Sequence, residues 1–217
     1  TKVNQNLEIA PQLASENLKR RATIRTIAQK NNSIAAINGT YFKPQTGVPL
    51  GTLMIDRKIY TGPMYNRVAM GIGKNEYKMA KVEFNTHIKS KNNILKINNI
   101  NQPRMLSTYV LMYTGDWGLE APPPPKYGAN LAINKEGKIV SLNFGSTTIP
   151  YEGYVISGPK AKLEPFFNKK KIELDMKTNP NWENIDHIIS GGPYLIKDGS
   201  ISVSYTHLRA HETGAYL

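Results

Sequence analysis

The feature that most constrains this fold is its punctuation. Short apolar or β-forming runs are closed by turn residues before a helical period can develop. Residues 53–55 and 59–60 flank Asp56-Arg57-Lys58. Residues 131–133 and 138–141 flank Asn134-Lys135-Glu136-Gly137, and residues 194–196 and 201–203 flank Lys197-Asp198-Gly199. Each is a hairpin signal, because Asn, Asp and Gly tolerate the backbone that tight turns need. Further runs at 34–37, 68–72, 77–84, 106–113, 154–157 and 186–190 bring the expectation to about ten short strands. Two helices are expected. One covers residues 12–30, capped by Ser15, with Leu18, Ala22, Ile27 and Ala28 on one face and Lys19, Arg20, Arg21, Arg25 and Lys30 on the other. A short one lies near residues 161–167. The four prolines at 122–125 read as a stiff surface loop between two strands. Helices do not alternate with strands, so a doubly wound nucleotide fold is excluded. The expected class is α+β, a mostly antiparallel β single domain with an N-terminal helix, cut short at its C-terminus.

Composition limits the chemistry. The 217 residues contain no cysteine, which excludes disulfides, thiol catalysis and cysteine-ligated metals. Lys and Arg number 28 against 16 Asp and Glu, a formal charge of +12. The excess is lysine, 21 against 7 arginines. Spread over a surface, such charge serves solubility; concentrated, it serves an anionic partner. No apolar run reaches the length of about 18 residues that crosses a bilayer. The basic face of the expected helix suits a protein surface, nucleic acid or a membrane.

Both ends look unlike native termini. The chain starts at Thr1 rather than Met. Residues 204–217, beginning Ser-Tyr-Thr-His-Leu-Arg-Ala-His-Glu-Thr, lack the Lys, Asn and Ile that dominate upstream. That string resembles a translated sequencing adapter, so the expectation is a domain over 1–203, incomplete at its C-terminus, plus a non-native tail. His207 and His211 have helical metal spacing but fall in that tail.

Nucleotide-binding, metalloprotease and serine-hydrolase signatures are absent. His87 is expected in a polar loop and His187 as a core residue. Two glycine-centred segments remain. Ala36-Ile37-Asn38-Gly39-Thr40-Tyr41-Phe42 is followed by Gly47-Val48-Pro49-Leu50-Gly51, and Ile188-Ile189-Ser190 runs into Gly191-Gly192-Pro193-Tyr194. Glycine belongs where a backbone turns tightly or approaches a ligand, and exposed N–H groups at a strand end accept anionic oxygens. Ordinary turn chemistry explains the same residues.

These segments resemble motifs of the phosphodiester glycosidase family, which includes enzymes that remove N-acetylglucosamine from a phosphodiester and bacterial exopolysaccharide biosynthesis proteins. Ile100-Asn101-Gln102-Pro103-Arg104 and Tyr113-Thr114-Gly115-Asp116-Trp117-Gly118 are similar to its middle segment. The likeness is collinear from about Ile34 to Ile201. Thr40 departs from the family's usual Gly or Asp, and its later Arg-Thr-Ala-x-Gly and Asp-Gly-Gly-Gly-Ser motifs are missing. The resemblance implies hydrolysis of a sugar-1-phosphodiester outside the cell or in its envelope, on a phosphate-linked glycan, with no nucleic acid, no membrane span and no cofactor; any metal is left open.

On that reading Asn38 and Asp116 are the catalytic candidates. Gly39, Tyr41, Phe42, Gly51, Arg104, Trp117, Gly191, Gly192 and Pro193 would bind substrate, Arg104 by gripping phosphate oxygens and Trp117 by stacking on a sugar. Arg104 in an ion pair and Asp116 as a turn residue are the plain alternatives. A glycan- or polyanion-binding module without catalysis is the alternative function, and a nucleic-acid binder using the basic helix stands third.

Overall fold

The computed structural model describes residues 7–202; the adapter-like tail, His207, His211 and Val203 lie outside them. The chain is α+β and mostly antiparallel β. It begins with α1 (Ile24–Lys30), β1 (Leu53–Ile55), β2 (Lys58–Thr61), β3 (Val68–Ile72), β4 (Tyr77–Lys81), β5 (Glu83–Ser90) and β6 (Asn93–Ile97). Next come β7 (Asn99–Ile100), β8 (Leu111–Thr114), β9 (Glu120–Ala121), β10 (Gly128–Ile133), β11 (Ile139–Asn143) and β12 (Thr147–Thr148). The last are β13 (Tyr154–Pro159), α2 (Lys160–Leu163), β14 (Glu173–Asn179), β15 (His187–Ser190), β16 (Ile196–Lys197) and β17 (Ser200–Ile201).

Three sheets carry the core, in the orders β2-β1-β15-β3-β4, β11-β10-β13-β8-β7 and β14-β5-β6. The β9–β12 and β16–β17 pairs are separate ribbons. The β7–β8 pair is parallel. β10 is buried along its whole length, as a central strand with both faces covered must be. β5 alternates instead, its apolar Phe84 and Ile88 turned inward beside Thr86. Ile88, Ile97, Ile100, Leu131, Ile156, Phe166 and Ile188 join the three sheets in one apolar cluster.

All three expected hairpins form, as β1–β2, β10–β11 and β16–β17. The proline run connects β9 to β10 and is anchored where Asn130 Nδ2 donates to Pro122 O at 3.0 Å. His187 is buried, and its Nδ1 accepts from the Asp56 N–H at 3.1 Å, as a satisfied core residue should. The short helix near 161–167 is α2 followed by a 3-10 turn at Glu164–Phe166.

Four expectations are corrected. The long N-terminal helix is only α1, seven residues capped by Thr23 Oγ1 (3.1 Å to Thr26 N), with no buried residue. Ser15 caps nothing; its hydroxyl bonds the Asn17 carbonyl nearby, the local competition that removes Ser from helices. Leu18 is buried and its N–H donates to Asp116 O at 2.9 Å, a long-range bond that takes the place of a helical one in this bent, irregular segment. Secondly, the apolar run at 34–37 is no strand: Ile34 and Ile37 are 87% and 90% exposed. It runs into Gly39, which lies against Ile189, but β15 is already paired on both edges by β1 and β3. Thirdly, the run at 106–113 shrinks to β8, leaving Leu106 exposed. Lastly, His87 lies within β5 and not in a loop.

The exposure of residue 37 makes a simple test. Ile37→Ser is expected to change stability by about 0.5 kcal/mol or less, since no apolar surface is lost from a core. A thermal midpoint lower by several degrees would show that the side chain is buried after all.

Candidate functional site

The two glycine segments meet on the β2-β1-β15-β3-β4 sheet. Residues 41–50 fold back on themselves, with Lys43 N donating to Val48 O (2.9 Å), Leu50 N to Tyr41 O (2.8 Å) and Phe42 bridged to Pro49. The loop then enters β1 through Gly51, whose φ of +126° suits glycine alone. Thr52 N donates to Ser190 Oγ at 2.8 Å and Ser190 N returns a bond to Thr52 O at 2.9 Å. Gly191 N donates to Val68 O (2.8 Å), and Gly192 O accepts from Val68 N (3.3 Å). A methyl on Gly192 would stand 3.7 Å from the Tyr41 hydroxyl, and none on Gly191 would meet anything within 4 Å, so the mouth here is open. Of the two expected backbone donors, Gly191 is therefore engaged inside the sheet. Pro193 is exposed beside them, and Asn38 and Phe42 are exposed on the loop side.

One residue at this mouth was missed by the sequence reading. Arg67 has its guanidinium carbon 4.2 Å from the Tyr41 ring centre and 5.3 Å from that of Tyr65, while Nη1 donates to Leu50 O at 3.1 Å. Half-burial lowers its pKa; the two tyrosines act in the opposite direction. A cation flanked by two aromatic rings offers charge and stacking surface together. The available signal was the Tyr65-Asn66-Arg67 turn, where the first two residues have φ of 56° and 51°.

Buried polar groups fix this loop from below. Gln102 Nε2 donates to Pro49 O (3.0 Å) and Gly62 O (3.3 Å), and lies 3.5 Å from Gly51 O. Its Oε1 is buried with no partner among the described residues. Neighbouring Asn101 donates to Tyr60 O and Thr114 Oγ1, both at 2.8 Å, and accepts from Thr114 N at 2.9 Å.

The remaining candidates sit around this platform. Arg104 donates to Tyr109 O, to Ser157 Oγ at 2.7 Å and to Ser157 O at 3.3 Å, bracing its loop against β13. Burial lowers its pKa, and the nearby Tyr113 hydroxyl is itself pushed up to about 12 by burial. Asp116 is 9% exposed with both oxygens occupied, Oδ1 by Lys58 Nζ at 2.6 Å and Oδ2 by the Thr114 hydroxyl at 3.1 Å. Trp117 has Lys19 Nζ over its ring at 4.3 Å and the Tyr113 ring at 5.0 Å. Asp116 and Trp117 thus pack with their own chain, tied to the glycine loop through Thr114, Asn101 and β2 on one side and through residues 18–21 on the other. Among the described residues no three His, Asp or Glu converge as metal ligands.

Beside Phe42 lies an open groove of about 650 Å³, lined by Lys19, Arg20, Arg21, Gln45 and Thr46. The segment expected as a basic helix supplies these three cations from irregular backbone ahead of α1.

This geometry defines an α+β domain with an aromatic and cationic mouth at a glycine-rich strand end. The chain is similar in fold to two solved structures. One is a hypothetical protein from Synechocystis, with a TM-score of 0.78 at 18% identity, covering 88% of this chain and 37% of that one. The other, from Burkholderia pseudomallei K96243, is described as a "putative exported protein", with a TM-score of 0.65 at 12% identity, covering 82% of this chain and 45% of that one. This chain therefore spans less than half of either protein. No family model and no curated protein matches it.

Proposed function

We propose that this chain is a phosphodiester glycosidase domain that hydrolyses a sugar-1-phosphodiester of the N-acetylglucosamine type, outside the cell or in its envelope. The observation that carries this reading is the meeting of the two glycine segments at Arg67. Segments about 140 residues apart in sequence close on one mouth, where a guanidinium can face a phosphate and Tyr41 and Tyr65 can face a sugar. Water would add to the anomeric carbon, the bond from that carbon to the phosphate oxygen would break, and a phosphomonoester would leave. The Lys19–Arg21 groove beside Phe42 would take up the rest of an anionic substrate.

A second reading, a glycan-binding module without turnover, is favoured by Asp116. Both its oxygens are engaged by Lys58 and Thr114, so the best carboxylate candidate is committed to contacts within its own chain.

One experiment separates these readings. The chain is incubated with a methyl phosphodiester of N-acetylglucosamine-1-phosphate, and free sugar is assayed. Turnover that falls by about tenfold to a hundredfold in Arg67→Ala, the loss of about 1.4–2.8 kcal/mol of transition-state contact, supports hydrolysis at this mouth. Arg104→Ala is expected to show its effect in thermal stability instead, because that guanidinium braces β13. Ligand binding without any sugar release selects the binding module. Full activity in Arg67→Ala would place the chemistry elsewhere.

A further inference from the structure

A second cationic groove lies away from the glycine mouth, on the three-stranded sheet. It has a volume of about 650 Å³ and is lined by Lys89, Ser90, Lys91, Asn168, Lys169, Lys170, Lys171 and Glu173. Five of these are lysines and one is a carboxylate. Lys89 is paired with Asp175 at 2.5 Å; among the described residues Lys91, Lys169, Lys170 and Lys171 have no carboxylate partner within ion-pair distance. Solubility is served by spreading like charges over a surface, whereas here they are gathered around one hollow.

The gathering is enforced by the fold. Lys91 takes a left-handed φ of 51° in the β5–β6 turn. Across from it, Ser90 Oγ donates to Lys171 O at 2.7 Å, and Lys169 N donates to Phe166 O at 3.0 Å. Ile172 is buried and its N–H donates to Gly137 O at 2.7 Å. The lysine run is therefore pinned at Lys169 to the preceding 3-10 turn, at Ile172 to the β10–β11 turn, and at Lys171 to Ser90, the last residue of β5 between Lys89 and Lys91.

The lining also narrows the ligand. It contains no aromatic ring on which a base or sugar could stack, and no guanidinium to grip one phosphate bidentately. Ammonium groups are hydrated point charges that meet several anionic groups loosely. The hollow is much larger than one phosphate needs.

We propose that this groove is an anchoring site for a linear polymer of repeating phosphate groups, held by charge alone and separate from the glycine mouth. The proposal does not depend on the hydrolase reading.

The test is binding of labelled long-chain inorganic polyphosphate to the full chain, followed by fluorescence anisotropy. Three phosphate contacts predict an affinity loss of about tenfold between about 50 and about 150 mM salt. The triple variant Lys169→Gln, Lys170→Gln, Lys171→Gln should weaken binding at least about tenfold at the lower salt. A control triple of equal charge change, Lys74→Gln, Lys81→Gln, Lys126→Gln, should bind within about twofold of the parent; all six side chains lie at least partly at the surface, so both variants should keep the parent's circular dichroism. Equal losses in the two triples would reduce the effect to net charge and overturn the proposal. So would no binding at low salt, or tighter binding of duplex DNA at matched phosphate concentration.

Discussion

Gly51→Val should unfold this protein about 6–18 °C below the parent. Gly51 has φ of +126°, a region closed to branched side chains, and its Cβ would stand 2.7 Å from Ser190 Cβ and 2.9 Å from Ser190 Oγ. Backbone strain and overpacking each contribute about 1–3 kcal/mol, so about 2–6 kcal/mol in total is expected. Relief by movement is limited, because Ser190 Oγ accepts from Thr52 N and its backbone pairs with Thr52 O. Any shift carries Gly191 and Gly192 with it, so the mouth is deformed even where the fold survives. Gly145→Ala is the matched control: nothing lies within 4 Å of its added methyl, and its midpoint should stay within about 2 °C. A thermal melt compares the two variants directly. An unchanged midpoint for Gly51→Val would mean that the 41–51 loop is not packed on β15.

Gln102→Glu should be as damaging, with a pH signature of its own. The amide nitrogen that faces Pro49 O and Gly62 O becomes an oxygen, and two buried carbonyls lose their donor. Ionised, the new carboxylate would point at carbonyl oxygens in a site with no exposure; protonated, it restores one donor. Its folded pKa must therefore lie above the unfolded value of about 4.3. A raised folded pKa gives stability that is fully present below the unfolded pKa and lost as pH rises through the folded one. The deficit against the parent should be smallest near pH 4 and widen toward neutrality, reaching about 3 kcal/mol or more. Urea unfolding at about pH 4.5 and about pH 7.5 measures it. A deficit independent of pH would show that residue 102 is reached by water.

These two positions mark how far the site could be read in advance. Gly51 was legible because glycine after Pro-Leu at a strand entrance has few other uses. Gln102 was not, because an amide between Asn101 and Pro103 looks like any loop residue until three carbonyls from residues 49–62 close around it. Arg67 was hidden for the same reason: its tyrosine neighbours come from different loops, Tyr41 on one side and Tyr65 on the other. Arg104, Asp116 and Trp117 were legible as chemically capable residues. What each one touches was not, and Ser157, Lys58 and Lys19 turn all three toward their own chain.

The positive charge divides in the same way. Its size was countable, but its placement around two hollows depends on residues 19–21 being non-helical and on Ser90 holding the lysine run. The sequence by itself determined the three hairpins, because turn residues act over a few bonds, but not β6 and β14, which complete the three-stranded sheet around β5. It also determined the α+β class. Only the tertiary structure decided that residues 34–37 stay unpaired and that the N-terminal helix is short. Both depend on which sheet edges are free and on a contact from Leu18 to Asp116, and such long-range pairing is invisible to local periodicity.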